Sequence, residues 1–460
     1  MTTLWAPLAW IDGRWQSDVL LRIGADGCFA ELRTQVPCPP AATVLPGPVL
    51  PGMVDAHSHA FQRAYAGLAE RRSTAQDDFW SWRERMYAVA LRITPRQMRV
   101  VAAQLYAELL QGGYTQVCEF HYLHRNEAGG HYADPAEMAL ALVQAAQDAG
   151  IGLTLLPVLY ERGGFSKPQL QPGQRRFAST VTEVLALRDR VRALGLPCVD
   201  AGTALHSLRA VRPESMRELV AAVQGDPAPL HLHAAEQTGE VEDCLRATGM
   251  RPLEWLCKHM PLDARWHMVH STHAEPAEIE AVARTGAGVV VCPSTEANLG
   301  DGFFDLPRWL GAGVPLAIGS DSQIGRDWPA ELRQLEYSQR LLRRERNVAA
   351  APAQGEDSTA ARLLQCSLQG GAAAAGKRHW GLLQGARADL LVVDVAAGAL
   401  TGMPATHLLD ALVFSASVPV FSEVWVAGQR LVVAGRHRLH AALAEEFAAV
   451  MKDVWVQPEP

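Results

Sequence analysis

The 460-residue sequence predicts an α/β protein, a (β/α)8 barrel accompanied by a small β domain assembled from the two ends of the chain. Three observations carry that prediction. From residue 49 onward, eight short apolar, β-rich runs alternate with longer helix-like segments, the pattern of βα units around a parallel sheet. Nearly every run is apolar first and reactive at its C-terminal end. Both flanks, by contrast, read as strand and turn without helical crossovers.

The N-terminal flank, residues 1–48, contains "APLAWIDGRW" and "VLLRIGADGCFAEL"; its counterpart, residues 386–436, contains "ARADLLVVDV" and "VFSEVWVAGQRLVVAGR". Short strands at both ends can pair, leaving residues 49–385 as a barrel inserted between them and 437–460 as a C-terminal helical segment. The barrel runs, in order, are "VLPGMVDAHSH" (49–59), "YTQVCEFHY" (114–122), "IGLTLLPVLY" (151–160) and "CVDAGTALHS" (198–207). Then come "PLHLHAAE" (229–236), "RWHMVHSTH" (265–273), "AGVVVCPSTE" (287–296) and "PLAIGSDSQ" (315–323). Between them lie helical markings such as "DPAEMALALVQAAQDAG" (134–150), with an acidic start and a terminal glycine. The stretch 345–361 reads as an exposed loop.

Composition narrows the class. With 48% hydrophobic residues the chain can bury a large core, and a net charge of -7 gives no electrostatic case for nucleic acid or an anionic membrane. The eight cysteines are scattered without a CxxC, as in reduced thiols of a cytoplasmic protein. The first residues, "MTTLWAPLAWIDGRW", lack a basic region followed by a continuous apolar one, and no apolar run approaches about 18 residues. We expect a soluble, unexported protein. A homodimer is the expected assembly, since closed symmetric dimers are the commonest.

The runs end in His57 and His59, Glu119 and His121, Tyr160, His206, His233 and Glu236, His270 and His273, Glu296, and Asp321. Barrel enzymes place their active sites at this C-terminal rim, where residues distant in sequence converge. His57 and His59 are i and i+2 on a strand, so their imidazoles share a face. An isolated HxH reads equally well as two polar residues at a strand end. With His233 on the fifth run and Asp321 on the eighth, however, three imidazoles and a carboxylate form a candidate site for zinc or iron. Taken singly, His233 reads as structural and Asp321 as a helix cap. Glu236 and His270 stand beside the set as candidate proton-handling groups.

The motifs "PGMVDAHSH", "HLHAAE", "MVHSTH", "IGSDS" and "GARADLLVVD" together resemble the amidohydrolase superfamily, in order and at suitable strand ends. The resemblance implies a distorted (β/α)8 TIM barrel with a small β-sandwich domain built from both termini. It also implies His57, His59, His233 and Asp321 as metal ligands, with Asp321 deprotonating the water. Glu236 would then protonate the leaving nitrogen, and His270 would polarise the attacked group or hold the nucleophile. Two-metal members commonly carry a carboxylated lysine at the end of the fourth strand. This chain has four lysines, and its fourth run ends "ALHSLRA". The resemblance therefore implies one divalent metal, zinc ahead of iron(II), and a deaminase.

Polar residues near the rim that are not ligand candidates are Gln62, Arg83, Tyr122, His206 and Arg209. Arginine presents a rigid fork of donors that fits a carboxylate, so two arginines suggest a substrate with more than one carboxylate. Arg83 also reads as an ordinary surface-helix residue. The stretches "HSHAFQRAYAGLAE", "FWSWRERMY", "CEFHYLH", "LTLLPVLY", "LHSLRAV", "HAAEQTGEVEDC" and "STEANLGDG" are similar to the formimidoylglutamate deiminases of histidine degradation. That narrower likeness implies N-formimidoyl-L-glutamate as substrate, with Gln62, Arg83, Tyr122, His206 and Arg209 around its glutamate portion. One departure stands out: Gln323 follows "GSDS" where many relatives carry histidine. The alternatives are a deaminase of a purine, pyrimidine or guanidino compound, and a catalytically silent barrel acting as a binding protein.

Overall fold

The computed structural model describes residues 1–72 and 77–455. Its centre is a parallel sheet whose strands follow chain order: Met53–Ser58, Tyr114–His121, Gly152–Leu159, Thr203–Ser207, Leu230–Ala234, Trp266–His270, Gly288–Val291 and Leu316–Ile318. These eight are called the first to eighth barrel strands below. A short extra strand, Val199–Ala201, pairs with the third. Helices separate most successive strands, as right-handed parallel crossovers require. The helix Glu137–Ala149 ends on Gly150 at φ +84°, the left-handed terminus its sequence announces.

The seam between the eighth and first strands is closed by close backbone approach. A single parallel bridge joins Ser58 to Asp321. A Cβ on Gly319 would lie 2.8 Å from the Cβ, N and O of His57. The helix Thr359–Ala374 packs across the same seam through two glycines: a Cβ on Gly370 would strike Leu316 O at 2.1 Å, and one on Gly371 would meet Val54 at 3.0 Å. The end of this helix also plugs the barrel floor. Ala374 O accepts from His231 Nε2 at 2.8 Å and Cys118 Sγ at 3.6 Å, and Ala375 O accepts from Thr154 Oγ1 at 3.1 Å. Inward-facing polar groups are thus satisfied by carbonyls left open at a helix terminus.

A second sheet joins the chain ends, running from Arg436–His437 through Gln429–Val433, Phe421–Val426, Leu390–Val393, Val49–Pro51, Thr2–Ile11 and Arg14–Ile23 to Phe29–Arg33. Its first hairpin turns on Asp12-Gly13, with φ of +50° and +75°, the two-residue turn whose twist matches the strands. The run read as one strand over 49–59 therefore divides at Gly52. Val49–Pro51 pairs antiparallel with Leu390–Val393 in the terminal sheet, and Met53–Ser58 enters the barrel. No described helix is long and apolar enough to cross a membrane.

Candidate active site and metal centre

His57 lies in the first strand and His59 just beyond its end, His233 comes from the fifth, and Asp321 follows the eighth; all four are buried. His57 Nε2 stands 3.1 Å from His59 Nε2 and 3.0 Å from His233 Nε2. Asp321 Oδ1 lies 3.6 Å from His57 Nε2 and 3.3 Å from His59 Nε2. His59 Nδ1 donates to Phe120 O and His233 Nδ1 to His206 O, each at 3.0 Å, so these rings carry their proton on Nδ1. Their Nε2 lone pairs then both face His57 Nε2, an arrangement that a cation satisfies. Burial holds His57 and His233 well below the ordinary histidine range and His59 at about 3, which keeps the rings neutral as metal ligation requires. Donors about 2.0–2.2 Å from a common centre would stand about 3–3.5 Å apart, which is close to the spacing of His57 from His59, His233 and Asp321; His57, His59 and Asp321 form one compact ligand group and His57, His233 and His270 another. The residues fit a bound metal.

Beside this cluster, His270 Nε2 lies 3.8 Å from both Glu236 Oε1 and Asp321 Oδ2, while its Nδ1 donates to Glu296 Oε1 at 3.2 Å. Burial opposes a charge on His270, but Glu236, the Glu296 hydrogen bond and Asp321 outweigh it and raise the group to about 10. Burial raises Asp321 to about 7, with His270 pulling the other way. Backbone conformation aims several of these groups: Ala235, His270 and Asp321 adopt φ of +51°, +70° and +49°, a left-handed geometry costly for residues with a Cβ. The ring of Phe120 packs 4.5 Å from that of His233 and 5.0 Å from that of His57, giving the cluster an apolar wall.

The pocket above is lined by Gln62, Arg83, Tyr122, His206 and Arg209 together with His59, His233, Glu236, His270 and Asp321. The pocket thus gathers the five candidate substrate residues, Glu236, His270 and three of the four ligand candidates, with His57 beneath its surface. Gln62 Nε2 donates to Tyr122 Oη at 3.2 Å, leaving Gln62 Oε1 buried without a partner among the described residues. Arg83 Nε and Arg209 Nη1 are likewise buried and unpartnered there. Gln323 does not line the pocket: it is fully buried and braces the seam by donating to Asp321 O at 2.7 Å and Ser58 Oγ at 3.1 Å.

Other strand-end groups serve elsewhere. Glu119 accepts from Ser58 Oγ and Ala60 N, each at 2.7 Å, and so shapes the turn carrying His59. The His121 ring turns away from the pocket to pack 5.0 Å from that of His124. Two buried acids were not anticipated. Glu240 accepts from Glu236 N at 3.1 Å, and its position one helical turn after Glu236 in "HAAEQTGE" is a usable signal. Asp301, which burial and Glu236 push up to about 9, accepts from Gln237 Nε2 and comes from a loop with no signal of its own.

A parallel barrel with imidazoles and a carboxylate converging at its C-terminal mouth has the architecture of a metal-dependent barrel hydrolase. The chain belongs to the amidohydrolase family, which matches it over residues 49–431. A formimidoylglutamate deiminase of Pseudomonas aeruginosa is 44% identical over 458 residues, covering 99% of this chain and 100% of the relative. A 5-methylthioadenosine/S-adenosylhomocysteine deaminase of Natronomonas pharaonis is 28% identical, covering 84% of this chain and 81% of the relative. The crystal structure of an amidohydrolase from Brucella melitensis superposes with a TM-score of 0.93 at 41% identity, covering 99% of this chain and 100% of the other. An adenosine deaminase from Xanthomonas campestris with bound zinc gives 0.80 at 22% identity, covering 98% of each chain, a likeness of fold alone.

Proposed function

We propose that the chain hydrolyses N-formimidoyl-L-glutamate to N-formyl-L-glutamate and ammonia in histidine degradation. One juxtaposition carries this reading. Two guanidiniums, Arg83 and Arg209, retain buried, unpartnered N–H groups in the same pocket as the imidazole and carboxylate cluster. Among the described residues, Arg83 Nε and Arg209 Nη1 have no hydrogen-bond partner. Glu240 and Glu236 attract Arg209 electrostatically, but no carboxylate hydrogen-bonds these N–H groups, which leaves them for an anionic ligand, and a purine offers them none. The name of the 44% identical relative, which covers the whole chain, supports the same substrate.

His57, His59, His233 and Asp321 would hold one divalent metal, zinc or iron(II), whose Lewis acidity makes water a usable nucleophile near neutral pH. Asp321 presents one oxygen to the imidazoles and the other to His270, so it can take a proton from the attacking water. The water oxygen bonds to the imino carbon, the bond to the terminal nitrogen breaks, and both water protons depart on ammonia. Glu236 faces the same space and delivers a proton to the leaving nitrogen. His270, held through Nδ1 by Glu296, directs Nε2 at the reacting centre. Arg83, Arg209, Gln62, Tyr122 and His206 hold the glutamate portion. Within this reading zinc is preferred to iron(II), the assembly is a homodimer and the compartment the cytoplasm; the eight unpaired cysteines support the last.

An amidine can break at either carbon–nitrogen bond, so product identity is the test. Carbon-13 NMR of substrate labelled at the formimidoyl carbon should show formylglutamate; formamide would reject the assigned orientation in the pocket.

A further inference from the structure

Arg83 and Arg209 come from distant parts of the chain, and a single aromatic side chain lies against both. Trp80 sits in the first turn of the helix Phe79–Ala90, whose start is fixed by Asp78, the side chain of which accepts from Trp80 N at 2.9 Å and Ser81 N at 3.1 Å. Its ring centroid is 4.5 Å from Arg83 Cζ and 5.6 Å from Arg209 Cζ. Tyr87, one turn beyond Arg83 on the same helix, lies 5.6 Å from Arg83 Cζ. Trp80 is 37% exposed and does not line the pocket, so it stands behind the arginines. The edge of its indole comes close to Gly239, at the start of the helix following the fifth strand.

We propose that Trp80 is the positioning residue that holds Arg83 and Arg209 together as a paired anion receptor for a dicarboxylate. The inference rests on the functional reading above for the charge of the ligand. Two like charges facing one pocket repel, and something must hold them there. A hydrogen-bonded carboxylate would do so, but it would occupy their N–H groups; the buried Glu240 attracts Arg209 yet leaves its Nη1 unpartnered. An aromatic face attracts a guanidinium through its flat side, leaving the N–H edge and the full charge for a ligand. The unpartnered N–H groups on both arginines are the result expected of that arrangement. Trp80 touches no reacting atom, so its effect should fall on affinity and leave the chemical step alone.

Calorimetric titration of the metal-loaded full chain with glutarate, an unreactive dicarboxylate, tests this in wild type, W80F and W80L. Phenylalanine keeps an aromatic face; leucine fills space without one. W80F should bind glutarate within about threefold of wild type, and W80L about tenfold more weakly. With N-formimidoyl-L-glutamate, W80L should raise KM by a similar factor and leave kcat within about twofold. Equal glutarate affinity in W80F and W80L, whether both are strong or both weak, would overturn the inference by making Trp80 a packing residue. A W80L variant that lost kcat at unchanged KM would overturn it too. Wild type that binds glutarate but fails to turn over the formimidoyl compound would refute the functional reading, while the W80F and W80L comparison would still decide this one. Wild type that turns over the formimidoyl compound but does not bind glutarate would overturn the paired receptor and leave the functional reading standing.

Discussion

His57 and His233 stand 176 residues apart in the chain, yet their Nε2 atoms are 3.0 Å apart at the barrel mouth. Adjacent lone pairs on two buried neutral rings are unfavourable unless a cation lies between them. His233→Ala should therefore cost the protein its metal, falling from about one equivalent to near none by elemental analysis. Glu236→Gln should keep the metal and lose turnover by about 10²–10⁴-fold, the usual scale for a proton-transfer group. Metal retention in the first variant, or full activity in the second, would contradict the assigned roles.

Arg209 is buried and carries an unpartnered Nη1. Replacing it with methionine keeps bulk but leaves a substrate carboxylate without its partner, a loss of about 2–5 kcal/mol. Steady-state kinetics should show this mainly as a higher KM; an unchanged KM would remove Arg209 from the substrate pocket.

Gly319 lies where the eighth strand crosses the backbone of His57. Gly319→Ala would place a Cβ 2.8 Å from three His57 atoms, forcing strand and ligand apart. Overpacking of this kind costs about 1–3 kcal/mol. Thermal unfolding of the metal-free chain should show the loss, and metal content should fall with it. Wild-type behaviour in both would mean that the seam tolerates movement.

Glu108 joins two of the three segments that carry the metal ligands, accepting from Arg63 Nε at 2.7 Å and pairing with Arg326 Nε at 2.9 Å. Burial works against its charge, but the Arg63 hydrogen bonds prevail and hold its carboxyl below the usual glutamate range. A depressed carboxylate contributes stability above its unfolded value, about 4.3, and loses it as pH falls through the lower folded value. Glu108→Gln should thus cost about 2 kcal/mol at pH 7, with the gap from wild type closing below about pH 4. Calorimetric melts at several pH values would check the direction; a gap that widened in acid would contradict it.

The barrel was legible because its eight strands are short apolar runs separated by helical patterns, and the structure places a strand in each. What the pattern could not reveal was the division at Gly52, since Val49–Pro51 and Met53–Ser58 are equally apolar and only pairing partners distinguish their sheets. The packing of Gly370 and Gly371 across the seam was equally hidden, because a glycine inside a helix does not announce what approaches it. Site candidates were legible where polar residues end apolar strands, as His233 and Asp321 do. Trp80 and Asp301 lie on an outer helix face and a loop, where no periodicity marks them. Glu119 was visible as a strand-end group, but only the structure assigns it to bracing the turn at His59.

The most direct measurement is ammonia release from N-formimidoyl-L-glutamate by the purified chain, metal-loaded and metal-stripped, with adenosine, guanine and cytosine in parallel. Metal-dependent release from the formimidoyl compound alone is the predicted result. Silence with that compound and turnover of a nucleobase would contradict the assignment of Arg83 and Arg209 to a substrate dicarboxylate.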